Sequence, residues 1–114
     1  MKIQKFEDII SWQKAKELNI LLNKQFQVCR DFNFKTQLLR AAVSIMNNIA
    51  EGYERGSNKE LKHFLFISKG SCAEVRSMLY LALELGFITQ EQFDFNSALA
   101  IEISKMISGF IKTL

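Results

Sequence analysis

The amino-acid sequence predicts an all-α protein that folds as an antiparallel up-down-up-down four-helix bundle. Three observations lead to this fold class. The chain of 114 residues contains no proline and only five glycines, so few positions force a helix to break. Apolar residues recur at steps of three and four in four consecutive segments, and the connections between these segments are short. Short connections make sequential helices antiparallel, and the length suits a single domain of residues 1–114.

The first two segments are expected to form helices over about residues 6–29 and 35–55. Asp31 and Asn33 interrupt the apolar pattern between them, which predicts a loop. Gly56 follows the second segment, where a left-handed C-terminal cap would fall. The apolar faces consist of Trp12, Ala15, Leu18, Leu22 and Phe26 in the first helix, and of Leu38, Ala42, Ile45, Ile49 and Tyr53 in the second.

The third and fourth segments are expected to form helices over about residues 58–85 and 90–113. Each begins with the spacing of a capping box, Ser57 with Glu60 and Thr89 with Gln92, and Gly86 ends the third helix. The predicted core faces are Leu61, Leu65, Cys72, Val75, Leu79 and Ala82 in the third helix, and Phe95, Leu99, Ile103, Met106 and Phe110 in the fourth.

Helices two and four are apolar over a wider arc than one core requires. An arc wider than about 100° predicts burial on a second side, and large exposed apolar patches mark interfaces. We therefore expect a homo-oligomer; the alternative is a slim bundle that wraps these residues internally. Gly70 lies in the middle of the third helix, which favours close approach of another backbone, from the same bundle or from a neighbour. The residues that widen the fourth helix are Phe93, Ile101, Ile107, Ile111 and Leu114.

Composition places few limits on function. The net charge of +3 is mild, and no apolar run approaches the ~20 residues that span a bilayer. The first ten residues lack the features of a signal peptide, so we expect a cytoplasmic protein without membrane contact. The two cysteines, Cys29 and Cys72, are interpreted as small buried groups, although one disulfide between them is the alternative.

Several blocks of sequence occur in a characteristic order along nearly the whole chain. The most specific is the run from Arg40 to Gly52, which reads RAAVSIMNNIAEG. The others are Trp12-Gln13-Lys14-Ala15, Gln37-Leu38-Leu39, Lys59-Glu60, Phe64-Leu65, Gly70-Ser71 with Glu74, and Leu85-Gly86-Phe87-Ile88. Together these blocks closely resemble the bacterial four-helix-bundle proteins known as 23S rRNA intervening-sequence proteins.

This resemblance implies a helical bundle that assembles into a homo-oligomeric ring, with a homopentamer favoured, and no established enzymatic activity. The related accessory variability proteins of diversity-generating retroelements form a similar ring, which binds nucleic acid and a reverse transcriptase. By analogy, RNA or a ribonucleoprotein is the expected partner besides a second copy of the chain.

A line of polar residues follows helix two at steps of three and four. It has three interpretations: a solvated face, a network within or between subunits that pairs Arg40 and Glu51 with charges such as Glu74, or a contact for RNA or another ligand. We favour a structural role. The line consists of Arg40, Ser44, Asn47, Asn48, Glu51 and Arg55.

Antiparallel topology collects charged residues at one end of the bundle. The cations there are candidate nucleic-acid contacts, although ordinary solubilising charge is the simpler interpretation. Five acids, Glu7, Asp8, Glu51, Glu54 and Glu60, reduce the excess of positive charge to one. The six cations are Lys2, Lys5, Arg55, Lys59, Lys62 and Lys112.

No pattern in the sequence predicts catalysis. The only histidine, His63, is separated from Arg55 by seven residues and a helix break, which does not match the spacing of helical nucleases. We find no phosphate-binding loop, metal-type cluster or activated nucleophile, and expect no cofactor and no metal. The leading hypothesis is an oligomeric RNA-binding module; the alternative is a protein-interaction scaffold without nucleic-acid contact.

Overall fold

Four α-helices account for most of the chain. The structure, a computed structural model, describes residues 2–114 and contains α1 (Ile10–Gln25), α2 (Phe32–Glu54), α3 (Asn58–Glu84) and α4 (Gln90–Lys112). Each helix packs against the next and α4 packs against α1, whereas no Cα atoms of diagonal helices lie within 8 Å of each other in residues 2–114. The bundle measures 42 × 22 × 19 Å. The prediction of an all-helical chain with four helices is confirmed, and no strand occurs in the described part.

Helix α1 is shorter than the predicted range of residues 6–29. A separate 3-10 turn (Phe6–Asp8) precedes it, and Ile9 is extended between the two. The turn is distinct because the Asp8 carboxylate accepts hydrogen bonds from the backbone N–H groups of Gln4 and Lys5. At the other end Phe26 has left the helical region but stays fully buried. The regular spacing of apolar residues therefore continues in the sequence past Gln25, where α1 ends.

Helix α2 begins earlier than predicted because Asp31 caps it. Its carboxylate accepts a hydrogen bond from the N–H of Phe34 at 3.0 Å, so the acid starts a helix where the sequence suggested a loop. At the far end Gly56 has a φ of +86°, the left-handed conformation predicted for it.

The termini of α3 and α4 follow the predicted signals closely. Ser57 Oγ accepts the N–H of Glu60 at 3.2 Å, but the Glu60 carboxylate turns to Arg55, so only half of that capping box forms. The box of Thr89 and Gln92 is complete. After α3, the N–H groups of Gly86 and Phe87 bond to the carbonyls of Leu83 and Ala82, which is a Schellman motif.

One apolar cluster fills the bundle, and α4 contributes a different face from the one predicted. Phe95 is 63% exposed, and Leu99, Met106 and Phe110 are only partly buried. Asn96 occupies a core position instead because it exchanges two hydrogen bonds with Gln25, at 2.6 and 3.3 Å. The buried residues of α4 are Asn96, Ala100, Ile103, Ile107 and Ile111.

Buried polar side chains join the helices at fixed levels. Asn19 Nδ2 of α1 donates to the carbonyl of Ala42 in α2 at 2.8 Å, and Ser68 Oγ of α3 donates to the carbonyl of Ile45. Because a buried amide N–H or hydroxyl without a partner is costly, these bonds favour one register between neighbouring helices. Both cysteine thiols are free, and Cys72 is fully buried.

Candidate functional site

One end of the bundle collects most of the cations singled out in the sequence. Helix α2 ends there, α3 and α1 begin there, and α4 ends there. All of the lysines concerned are exposed. Within residues 2–114, carboxylates lie within 4.0 Å of only two cations, Lys14 and Arg55, so these lysines form no ion pair there. We call this set the lysine-rich end: Lys2, Lys5, Lys59, Lys62 and Lys112.

Packing holds the first residues of the chain against this end. The hydroxyl of Tyr53, at the end of α2, donates a hydrogen bond to the carbonyl of Ile3 at 3.4 Å. Ile3 also lines a cavity of about 480 Å³ with Ile9, Met106 and Phe110. Lys2 and Lys5 therefore lie beside the ends of α2 and α4.

Arg55 differs from the lysines because acids hold its guanidinium. Its Nη2 lies 2.7 Å from a Glu51 oxygen, its Nη1 lies 3.6 Å from Glu60, and the group stacks 4.9 Å from the ring centre of Phe64. The hydrogen bond that Arg55 donates to the Glu51 carboxylate raises the pKa of Arg55. This charge is balanced locally, so Arg55 holds the α2–α3 turn and leaves the lysines as the available cations.

The polar line of helix two divides into parts with different partners. Ser44 Oγ lies 2.8 Å from Ser71 Oγ of α3, and Asn48 Nδ2 donates to Ser44 Oγ at 2.9 Å and to the Ser44 carbonyl at 2.8 Å. These residues form a half-buried hydrogen-bonded seam between α2 and α3. Asn47 is exposed beside it.

Arg40 and Glu74 lie on the walls of one groove but do not form an ion pair within 4.0 Å. The groove has a volume of about 730 Å³ and runs along the exposed side of the seam. Its amide, hydroxyl and charged groups could accept or donate hydrogen bonds to a polar ligand. The lining residues are Asn33, Thr36, Gln37, Arg40, Ala41, Ser44 and Glu74.

Two residues were not identified from the sequence: Ser71, which belongs to the seam, and Gln37, which lines the groove. A signal for Ser71 was present: Ser68 and Ser71 are three residues apart on α3 and both bond to α2.

His63 is exposed, with its ring against Phe64 at 5.4 Å. Along residues 2–114, every helix is too short or too polar to cross a bilayer.

Known proteins share both the sequence pattern and the fold. The profile of the 23S rRNA-intervening sequence protein family matches residues 7–109 of the chain. The chain belongs to this family. The resemblance seen in the sequence blocks is thereby confirmed.

A solved structure resembles this member of the 23S rRNA-intervening sequence protein family over most of its length. It is the crystal structure of a protein of unknown function from the S23 ribosomal protein family of Bacteroides thetaiotaomicron. The two chains are 25% identical, the match covers 90% of this chain and 96% of the other, and the TM-score is 0.82. No curated protein matches the sequence. These matches establish the family and the bundle, and they indicate no enzymatic family.

Proposed function

We propose that the chain is a non-catalytic, self-associating helical module that binds RNA through its lysine-rich end. The observation that carries the proposal is that five exposed lysines meet at one end with no ion-pair partner in residues 2–114. Ammonium groups without such a partner can take up phosphates and release the counterions of a polyanion.

The arrangement of the acids at this end supports the same function. Three of the five acids are engaged: Glu51 and Glu60 by Arg55, and the carboxylate of Asp8 by two backbone N–H groups. The other two, Glu7 and Glu54, are exposed. Self-association would repeat the lysine-rich end around an assembly and increase the local potential. The name of the family associates its members with intervening sequences of 23S rRNA, which makes RNA the polyanion to test first.

A second candidate function is a protein-interaction scaffold without RNA contact. It is favoured by large apolar side chains on the outside of the bundle, including Phe66, Tyr80 and Leu81 on α3. A scaffold of this kind would not need the lysine-rich end, so the two candidates make different predictions for lysine substitutions.

The proposal is tested by removing two lysines from this end. We expect the double variant Lys59→Gln/Lys62→Gln to bind a fluorescent 23S rRNA intervening-sequence fragment on the order of tenfold more weakly at ~100 mM salt, because two counterion-releasing contacts are lost. The measurement is fluorescence anisotropy, with unfolding midpoints recorded to show that both proteins are folded.

A matched control removes two cations from the opposite end of the bundle. Arg30 lies in the loop between α1 and α2, and Lys35 lies in the first turn of α2. The variant Arg30→Gln/Lys35→Gln has the same net charge as the test variant and should retain wild-type affinity. Equal losses in both variants would assign binding to overall charge and would refute a site at the lysine-rich end.

A further inference from the structure

A mostly apolar cavity lies where the start of the chain packs on α1 and α4. Its volume of about 480 Å³ is in the range that is typical of small-molecule sites. Three segments form its walls: the residues before α1, the first turn of α1 and the last two turns of α4. We call it the N-terminal cavity, lined by Ile3, Asp8, Ile9, Ile10, Ser11, Met106 and Phe110.

The apolar walls of this cavity are continuous with the core of the bundle. Ile9 is buried, and Met106 and Phe110 are partly buried against the core cluster, so these walls are held in place by the fold. Ile10 is 49% exposed and marks the side on which the cavity borders solvent. An apolar molecule of suitable size can therefore enter and exchange contact with water for contact with these side chains.

Ser11 contributes a hydroxyl that the fold leaves without a partner. The residue is only 3% exposed, and its Oγ forms no hydrogen bond with any protein atom of residues 2–114. By contrast, the hydroxyl of the buried Ser68 donates to the carbonyl of Ile45. Because a buried hydroxyl without a partner is costly, one in the wall of a cavity indicates a polar group that binds there.

Asp8 places a second polar group on the walls of the same cavity. Its Oδ2 accepts the backbone N–H groups of Gln4 and Lys5 at 3.0 and 3.3 Å, whereas its Oδ1 accepts no hydrogen bond from residues 2–114. A carboxylate oxygen can only accept, while a serine hydroxyl can also donate. The two groups together match a ligand hydroxyl, which would donate to Asp8 Oδ1 and accept from Ser11 Oγ.

The charges around the cavity favour a neutral ligand. The Asp8 carboxylate on its wall would repel an anion, and Lys2, Lys5 and Lys112 at the same end of the bundle would repel a cation. A neutral molecule with one hydroxyl avoids both costs and still satisfies the two polar groups.

We propose that the N-terminal cavity binds a neutral apolar molecule that carries one hydroxyl group, of the class of small phenols and alcohols. Its apolar body would lie against Ile9, Met106 and Phe110. The Ser11 Oγ exposes less than 1 Å² to solvent, so the side chain would rotate about its Cα–Cβ bond to another staggered position to meet the ligand. None of the lysines of the lysine-rich end lines the cavity, so this assignment does not depend on RNA binding.

Two molecules of the same shape test the cavity: para-cresol, which has a hydroxyl, and para-xylene, which has a methyl group in its place. Each is titrated into the full chain and followed by NMR of the isoleucine and methionine methyl groups. We expect saturable shifts at Ile3, Ile9, Ile10 and Met106, with a dissociation constant for para-cresol of roughly 1 mM or below. Ile67, which is exposed on α3, is the internal control and should not shift.

The variant Ser11→Ala separates hydrogen bonding from apolar burial. It removes a hydroxyl that has no protein partner in residues 2–114, so the unfolding midpoint should be unchanged or higher. We expect its affinity for para-cresol to fall on the order of fivefold and its affinity for para-xylene to stay unchanged. Ser97→Ala is the matched control, because the Ser97 Oγ is likewise covered and without a partner in that range but lies outside the cavity. It should bind both molecules like the wild type.

The remaining outcomes would overturn the proposal. Absence of saturable shifts at the four methyl-bearing residues, as expected if a second copy of the chain covers the cavity, would refute the site. Shifts of similar size at Ile67 would show adsorption to exposed apolar side chains in general. Equal affinity of the wild type and Ser11→Ala for para-cresol would refute the ligand class. RNA affinity is measured separately, so the failure of either proposal leaves the other standing.

Discussion

The glycines at positions 52 and 109 both lie inside helices, but their surroundings are opposite. Gly52 is buried where α2 meets α3, and a Cβ there would lie 2.7 Å from the Cβ of Phe64, whereas at Gly109 a Cβ would meet nothing within 4 Å. We expect Gly52→Ala to lower the free energy of unfolding by about 2 kcal/mol, because the helices must separate. Gly109→Ala should raise it by up to ~1 kcal/mol. Urea unfolding measures both, and a similar change in the two variants would contradict this account of Gly52.

The buried thiol of Cys72 gives the protein a stability that depends on pH. Burial raises the pKa of Cys72 to about 12, while an unfolded thiol titrates near ~8.5. Between these values the unfolded chain releases a proton that the folded chain keeps. The contribution of the thiol to the free energy of unfolding is therefore fully present below the pKa of the unfolded thiol and is lost as the pH rises toward the pKa of the folded one.

We expect the wild type to lose about 2 kcal/mol more stability than Cys72→Ala between pH 8 and pH 10. The comparison with Cys72→Ala removes the contribution of all other titrating groups. The measurement is the free energy of unfolding in urea at both pH values. An equal loss in the two proteins would show that the thiol ionises freely in the folded state.

At the level of elements, α2 owes its first turn to one side chain. Asp31 accepts the N–H of Phe34, and α2 makes the most extensive helix contact in the bundle, with α3. We expect Asp31→Ala to lower the free energy of unfolding by about 1 kcal/mol, and Asp31→Asn, which keeps an acceptor oxygen, to lower it by much less. Urea unfolding of the three proteins tests this, and equal losses for alanine and asparagine would show that the cap contributes nothing.

Helix boundaries were predictable where a local signal fixed them. The start and stop of α3 follow from Ser57 and Gly86, whose hydrogen bonds involve only nearby backbone groups. The end of α1 was not predictable from its period, because Phe26 is buried by tertiary packing after the helix has ended. Asp31 was interpreted as a helix breaker, although the same residue type is a preferred N-cap.

The core face of α4 shows why the spacing of apolar residues alone predicted the wrong set of core residues for this helix. Phe95 is more apolar than Asn96, so the sequence favoured the stripe that begins with Phe95. In the bundle Asn96 is buried, since Gln25 of α1 satisfies both its oxygen and its nitrogen. The partner lies 71 positions away in the chain, beyond the reach of any local pattern.

At the scale of the whole molecule, topology could be predicted but ion pairing could not. Short connections determine that the helix ends meet, so the cations of one end were identified from the sequence. Which of them are free depends on distances between side chains: Arg55 is held by Glu51 and Glu60, whereas no carboxylate lies within 4.0 Å of Lys59 or Lys62 in residues 2–114. The Ser44–Ser71 bond likewise depends on the facing helix.

The salt dependence of RNA affinity tests the central claim most directly. If the five lysines of the lysine-rich end contact phosphates of single-stranded RNA, the logarithm of the affinity should fall with the logarithm of the salt concentration with a slope of about −3.5 per engaged subunit. Between ~50 and ~200 mM salt, the affinity of the wild type should therefore fall roughly 100-fold. Anisotropy titrations at both concentrations give this ratio. An affinity that does not change with salt, or no binding at the lower concentration, would contradict RNA recognition by this end of the bundle.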